Sequence, residues 1–293
     1  MSISSKFHVL VMLSFLVAVQ LIALAITPAI SATDNRVFED PASISNPIIY
    51  MLLILIFTAI LLLAIKLKGD WLVRGFIQIS IALTIFYVIS AIMPMWLALL
   101  LTLAVMLLLH YYPEWYILDA FGILVCAAVA SLLGVSMTVL PVIILMVILA
   151  VYDAISVYKT RHMVALAEGA IKMKAPLLFV VPKSRDYSFR RKDAVSISMG
   201  NDKKKGDRGA YFLGMGDAII PSILVISASW SYPPGDILGL NLPALGAMLG
   251  TYAGFILLMT TSRDRPQAGL PFLNSGSILG FLAGCLAAGI WPF

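Results

Sequence analysis

The chain of 293 residues is 61% hydrophobic and only 12% charged, with a mean hydropathy of +1.00. A soluble domain of average usage carries about 25% charge, so this chain has too few charged groups to cover a solvated surface. A soluble enzyme, a disordered chain and a nucleic-acid binder working through a basic patch are all excluded, which leaves a polytopic membrane protein.

A crossing helix needs about 20 predominantly apolar residues. Nine stretches fit, at roughly 7–26, 46–65, 72–92, 95–112, 117–136, 139–158, 210–230, 243–261 and 271–290. Barrel strands would alternate apolar and polar residues. Continuous runs such as Met51–Ile65 and Leu97–Leu109 do not alternate, so the predicted fold class is an all-α polytopic membrane protein of nine transmembrane helices. The first stretch follows Lys6 in the manner of a secretory signal. Its apolar run from Val9 to Ile26 exceeds a signal's core of about 7–15 residues, and it is read as a retained helix.

With the N-terminus in the cytosol, every one of the 20 Lys and Arg lies on the cytosolic side except Arg36, whose connection also carries Asp34, Glu39 and Asp40. Lys6, the trio Lys66, Lys68 and Arg74, the 159–208 connection, and Arg263 with Arg265 all agree. The net charge of +5 is thus a positive-inside signature rather than a nucleic-acid footprint. It makes the C-terminus extracytosolic and the expected location the cell membrane. Trp71, Trp96, Trp115, Trp230 and Trp291 fall near predicted helix ends, as interfacial anchors do.

Three parts follow. Residues 1–182 hold spans one to six and an amphipathic segment, Ala170–Pro182, expected at the membrane interface. Residues 183–209 are hydrophilic, cytosolic and expected to be disordered. Residues 210–293 hold spans seven to nine.

Three acidic residues lie inside predicted spans. Asp119 is within about one turn of the start of span five, where it can cap the helix or favour the positive end of its dipole. Asp153, toward the cytosolic end of span six, and Asp217, near the start of span seven, both lie ~8–10 Å below the same face at 1.5 Å per residue. An intramembrane carboxylate is a functional hypothesis by default, and no Lys or Arg lies at that depth to neutralise these two. Facing carboxyls in low dielectric do not both ionise readily, so such a pair holds one proton. One member can then take a proton from water while the other polarises a peptide carbonyl. The structural alternative is an Asp–Asp hydrogen bond between helices.

Asp217 follows Leu213-Gly214-Met215-Gly216. Each Gly costs a helix interior about 1 kcal/mol relative to Ala, and gives close backbone approach and easy unwinding in return. Tyr152, before Asp153, fits the site or an interfacial role equally.

In these residues the chain resembles the presenilin and signal peptide peptidase family of intramembrane aspartyl proteases, most like an archaeal presenilin homologue. Nine spans, Tyr-Asp in the sixth, Gly-x-Gly-Asp in the seventh and a hydrophilic loop between them match in order. The resemblance implies that Asp153 and Asp217 are the catalytic pair, facing a water-filled cavity open to the cytosol, and that single-span membrane proteins or peptides are cleaved within the bilayer. It also implies substrate contacts around Tyr152, Gly214, Met215 and Gly216. The family's third motif is Pro-Ala-Leu. A literal copy stands at Pro243-Ala244-Leu245, on the non-cytosolic side. Pro271-Phe272-Leu273 differs by Phe for Ala but lies at the cytosolic start of span nine, and is preferred. Either an extended Pro271–Leu273 segment or part of loop 170–210 is expected to offer strand-like partners to an unwound substrate.

Other chemistries lack their parts. His8, His110 and His162 form no His-Glu-x-x-His, so no metal is expected, and no cofactor either. Cys126 and Cys285 lie within spans, where they pack as small apolar groups. A prepilin-type peptidase shares Gly-x-Gly-Asp but not the nine spans. A proton- or cation-coupled transporter using the Asp pair as a relay is the alternative from another class. All candidate catalytic parts lie in one chain, which is expected to be competent by itself.

Overall fold

The apolar runs are helical because a helix satisfies its backbone internally, which lipid cannot do for it. The computed structural model describes residues 3–32, 37–67, 70–160, 178–183, 210–235, 239–261 and 267–292. Among them are α1 (Ile3–Ser31), α2 (Ser45–Lys66), α3 (Asp70–Ser90), α4 (Met95–Tyr111), α5 (Trp115–Ser136) and α6 (Val139–Ile155), which runs into a π-helical turn, Ser156–Thr160. Strands β1 (Leu178–Pro182) and β2 (Ala210–Gly214) precede α7 (Met215–Ser231), α8 (Leu242–Thr261) and α9 (Leu270–Ala288). Each predicted apolar stretch coincides with a helix. Six helices are long and apolar enough to cross a membrane, and the shorter apolar helices are Ser45–Leu61, Met95–Tyr111 and Met215–Ser231.

Two expectations need correction. The stretch 210–230 is not helical throughout, because Ala210–Gly214 is strand β2 and the helix starts at Met215. The end of the segment expected to be amphipathic is instead a strand, Leu178–Pro182, with Phe179, Val180 and Val181 all buried. Short apolar runs carry no period that separates strand from helix. The pairing satisfies both backbones at once. The hydrophilic segment predicted at 183–209 lies outside the described residues beyond Lys183.

The hairpin is antiparallel, with Leu178 opposite Gly214 and Pro182 opposite Ala210. Val180 and Ala210 pack on Leu118 and Trp115 of α5. Phe179, Val181 and Leu213 pack on the other side with Met12 and Leu16 of α1, and the Phe15 and Phe179 rings meet at 5.4 Å. The main core gathers Leu145, Met146 and Leu149 of α6 with Ile223, Leu224 and Ile226 of α7. Helix α1 joins this bundle through a hydrogen bond between the buried Thr27 and Ser131 hydroxyls.

Helices α8 and α9 approach more closely than side chains would permit. Gly246, Gly250 and Gly254 face Gly276, Gly280 and Gly284 at four-residue spacing, the small-residue packing of membrane helices. A Cβ at Gly250 would strike the Gly276 carbonyl oxygen, and one at Gly280 the Gly246 carbonyl oxygen. The obstruction is backbone, so the helices must separate to admit a side chain. Gly250→Val is therefore expected to lower the melting temperature in detergent, with a cost of about 1–3 kcal/mol or more. Gly75→Ala, with nothing within 4 Å of the new methyl, should leave it unchanged or raise it, since Ala favours a helix by about 1 kcal/mol.

Candidate active site

Helix α6 delivers Asp153 close to its end, where the chain turns into the π-helical segment. The residue is 7% exposed. Its Oδ2 accepts the Leu270 N–H at 3.2 Å, and the carboxyl also faces the Gly269 amide. Gly269 is the N-cap of α9, so these donors belong to the unpaired amides with which a helix begins. They present the positive end of the helix dipole to the carboxyl.

Asp217 is held in a parallel way. With Gly214 as N-cap, it lies in the first turn of α7 and its carboxyl turns back to the Gly214 N–H. That is the reach-back an acidic residue makes at the third helical position. Its charge interacts with that of Asp153. A Cβ at Gly269 would lie 2.7 Å from its Oδ2 and 2.9 Å from its Oδ1, and one at Gly214 would lie 3.3 Å from Oδ2. At Gly216 a Cβ would meet nothing within 4 Å. Gly269 and Leu270, the N-cap and first residue of α9, thus lie between them against both carboxyl groups.

That helix start is itself tied down. The Tyr158 hydroxyl, on the π-helical turn, donates to Gln267 Oε1 at 3.0 Å and accepts the Ala268 N–H at 3.4 Å. Asn274 Nδ2 donates to the Met146 carbonyl of α6 at 2.9 Å. A side chain at Gly254 of α8 would collide with the Phe272 carbonyl oxygen.

Tyr152 is half-buried on α6 beside Asp153. Met215 is 6% exposed; its side chain abuts Gly122 of α5 and its carbonyl accepts the Cys126 Sγ–H at 3.8 Å. Pro271-Phe272-Leu273 is not extended, correcting the expectation. It forms the first turn of α9, with the Phe272 and Leu273 amides both donating to the Gly269 carbonyl at 3.2 Å. Proline at a helix start lacks only an N–H that would be unpaired anyway, so the segment continues as helix rather than strand. Leu273 is fully buried with Phe179, Leu213 and Phe255. Pro243 lies in the first turn of α8, where Asn241 Oδ1 caps the Ala244 N–H at 2.9 Å. Its neighbour is Gly284, about 20 Å along α9 from Leu270 at 1.5 Å per residue.

Asp119 also departs from expectation. It does not cap α5, whose N-cap is Glu114; its Oδ1 accepts the Val180 N–H of β1 at 2.8 Å. Gly269 and Leu270 carry no signal of their own in the sequence; only their contact with the carboxyls reveals a role. No group of three or more His, Cys, Asp or Glu that could hold a metal ion occurs among the described residues.

Residues 13–290 match the family model described as signal-peptide peptidase, presenilin aspartyl protease. The chain belongs to this family. Two solved structures of a presenilin family intramembrane aspartate protease, in C222 and P2 crystal forms, each share 35% sequence identity with it at a TM-score of 0.67. The first alignment covers 95% of this chain and 97% of the solved one, the second 94% and 96%. A comparison with curated proteins returns no match. The chain is therefore an integral membrane protein and an intramembrane aspartyl protease.

Within this presenilin-family protease, the three glycines around Asp217 predict a graded series. Gly269→Ala drives a methyl against the Asp217 carboxyl, and displacement of about 1 Å costs on the order of a hundredfold in rate. Gly214→Ala needs a shift of only tenths of an ångström, and Gly216→Ala meets open space. Proteolysis of a transmembrane peptide should fall in the order Gly269→Ala, Gly214→Ala, Gly216→Ala, most to least, with melting temperatures near the parent's.

Proposed function

We propose that Asp153 and Asp217 form the catalytic dyad of a Gly-x-Gly-Asp type endopeptidase that hydrolyses peptide bonds within the transmembrane segments of single-span membrane proteins or signal peptides. The observation that carries this reading is the start of α9, where the Leu270 amide bonds Asp153 and Gly269 lies against Asp217. Two carboxyls so held share one proton, and the dyad rather than either member titrates. The ionised carboxylate takes a proton from water as the water oxygen bonds to the substrate carbonyl carbon. The protonated carboxyl donates to the carbonyl oxygen. The tetrahedral diol then collapses: one hydroxyl gives its proton to the now ionised carboxylate as C=O re-forms, the C–N bond breaks, and the nitrogen leaves with the proton of the other carboxyl, so the dyad again holds one proton. The family match supports this reaction over a coupled transporter.

An unwound substrate needs partners for the amides it exposes, and β2 is suited to provide them. Residues of an antiparallel pair alternate between hydrogen-bonded and non-hydrogen-bonded pairs. The Val180 N–H points to Asp119, so Val180–Phe212 is non-hydrogen-bonded and Phe212 and Ala210 turn their N–H and C=O away from β1. Among the described residues the sheet has two strands, and that edge of β2 leads through Gly214 to Asp217. We assign it to substrate by strand addition. Gly214 and Gly216 line the approach, Tyr152 and the Pro271–Phe272 turn flank it, and Met215 packs beneath. The membrane arrangement is that of nine spans in the cell membrane, with a cytosolic N-terminus, an extracytosolic C-terminus and the dyad toward the cytosol. No cofactor takes part.

The test uses purified protein in proteoliposomes with a single-span peptide. Cleavage inside the apolar stretch should vanish in both Asp153→Ala and Asp217→Ala, and kcat/KM should pass through a maximum with pH because the dyad works singly protonated. Residual cleavage by either variant, or proton flux without cleavage by the parent, would sink the proposal. Phe212→Pro removes an outward-facing N–H, which an edge strand tolerates, along with a half-buried ring that packs on Leu118 and Val180. It should raise KM for the peptide while the protein stays folded.

A further inference from the structure

Asp119 is a buried carboxyl that the dyad does not use, at 3% exposure on α5. Its Oδ1 holds the Val180 N–H at 2.8 Å, and its Oδ2 has no hydrogen-bond partner among the described residues. From α1, on the other face of the hairpin, His8 Nε2 donates to the Pro182 carbonyl at 2.9 Å, with its ring 5.0 Å from that of Tyr211 on β2. Pair alternation gives these bonds a shared meaning. Val180 and Pro182 have the same parity, so both direct their backbone groups away from β2. Along that outer edge of β1 the Val180 N–H is taken by Asp119, the Pro182 carbonyl is taken by His8, and Pro182 has no N–H. A strand added there would find three of the positions it needs closed.

We propose that Asp119 and His8 are positioning residues that close the outer edge of β1, so that an extended substrate is admitted at β2 alone and in one register relative to Asp217. The inference rests on the reading of β2 as the docking edge. Helix α5 supplies the rest of the support from one face. Gly122, one turn after Asp119, makes room for the Met215 side chain, and Cys126, a turn further, donates to the Met215 carbonyl. One rigid helix therefore fixes β1 and the first residue of α7, the two ends of the segment that sets substrate register. Only an acceptor is required at Asp119; neither its charge nor its proton enters.

The experiment compares full-length parent, Asp119→Leu, Asp119→Asn, Val180→Pro and the Asp119→Leu/Val180→Pro double variant on a single-span peptide in proteoliposomes. It reads kcat, KM and the product termini by mass spectrometry. Asp119→Leu and Val180→Pro remove the same hydrogen bond from opposite ends. Each should spread cleavage over neighbouring peptide bonds and lower kcat/KM roughly tenfold. The double variant should be no worse than the worse single, as for two changes to one contact. Asp119→Asn keeps an oxygen for the Val180 N–H and should restore the parental product termini, which a general loss of stability would not produce. Parental termini in Val180→Pro, or Asp119→Asn behaving like Asp119→Leu, would overturn the proposal. If Asp119→Leu does not fold, Val180→Pro and Asp119→Asn decide it. Cleavage that persists in Asp153→Ala, or normal KM in Phe212→Pro, marks failure of the underlying reading; parental products from Val180→Pro beside an impaired Phe212→Pro mark failure of this inference alone.

Discussion

A helix that begins at membrane depth must dispose of its first backbone amides, because lipid offers no acceptor. Two helices of this protein begin beside the acidic pair: α7 directly after β2, and α9 after Gly269. Their leading N–H groups are directed at carboxyls. The Gly214 amide faces Asp217, and the Leu270 and Gly269 amides face Asp153. Unpaired amides and buried carboxyls are each unfavourable, and each offsets the other. Among the described residues, helix-start amides are thus the donors that hold both acidic groups. A cation would neutralise such a pair, whereas helix-start donors hold it in place.

Much of the remaining architecture fixes where those two helices start. The glycine faces of α8 and α9 bring the backbones into direct contact, and at the Gly254–Phe272 level that contact sets the height of the first turn of α9. Tyr158 secures residues 267 and 268 just ahead of it, while Asn274 fastens the next turn to α6, the helix that carries Asp153. On the α7 side, the hairpin feeds straight into the helix and is packed between α5 and α1. Small residues and backbone bonds predominate, as expected where apolar burial gives no preference for protein over lipid.

The helices were legible in the sequence because a crossing leaves a one-dimensional mark, an apolar run of sufficient length. Asp153 and Asp217 were legible for the converse reason, as charges inside such runs. The hairpin was not, because Ala210–Gly214 is as apolar as the helix it precedes, and its partner strand is separated from it by the hydrophilic segment. Asp119 was misread for lack of long-range information: its position near a helix start suggested a cap, whereas its partner Val180 is 61 residues away. Gly269 has ordinary helical dihedrals, so nothing in its local conformation calls for glycine. Only the nearby Asp217 carboxyl does, and that neighbour belongs to another helix. Pro271–Leu273 opens a helix where the sequence suggests an extended segment, since proline opens a helix as readily as it interrupts a strand.

The rule that disposes of the amides at two helix starts also governs how a substrate can be received. A transmembrane helix unwound for hydrolysis exposes N–H and C=O groups that lipid cannot satisfy. Non-helical backbone is tolerated at that depth only against protein or in a water-lined cavity. The hairpin already meets this condition on one side, where Asp119 and His8 occupy the edge of β1. On the other side, β2 carries backbone groups that neither β1 nor, among the described residues, a third strand takes. Enzyme edge and unwound substrate thus have complementary deficits, and joining them relieves both. The peptide that gains most is one whose helix opens readily next to a segment able to lie extended. With substrate docked on β2 as proposed, selection would act first on the ease of unwinding and only then on the side chains that flank the scissile bond.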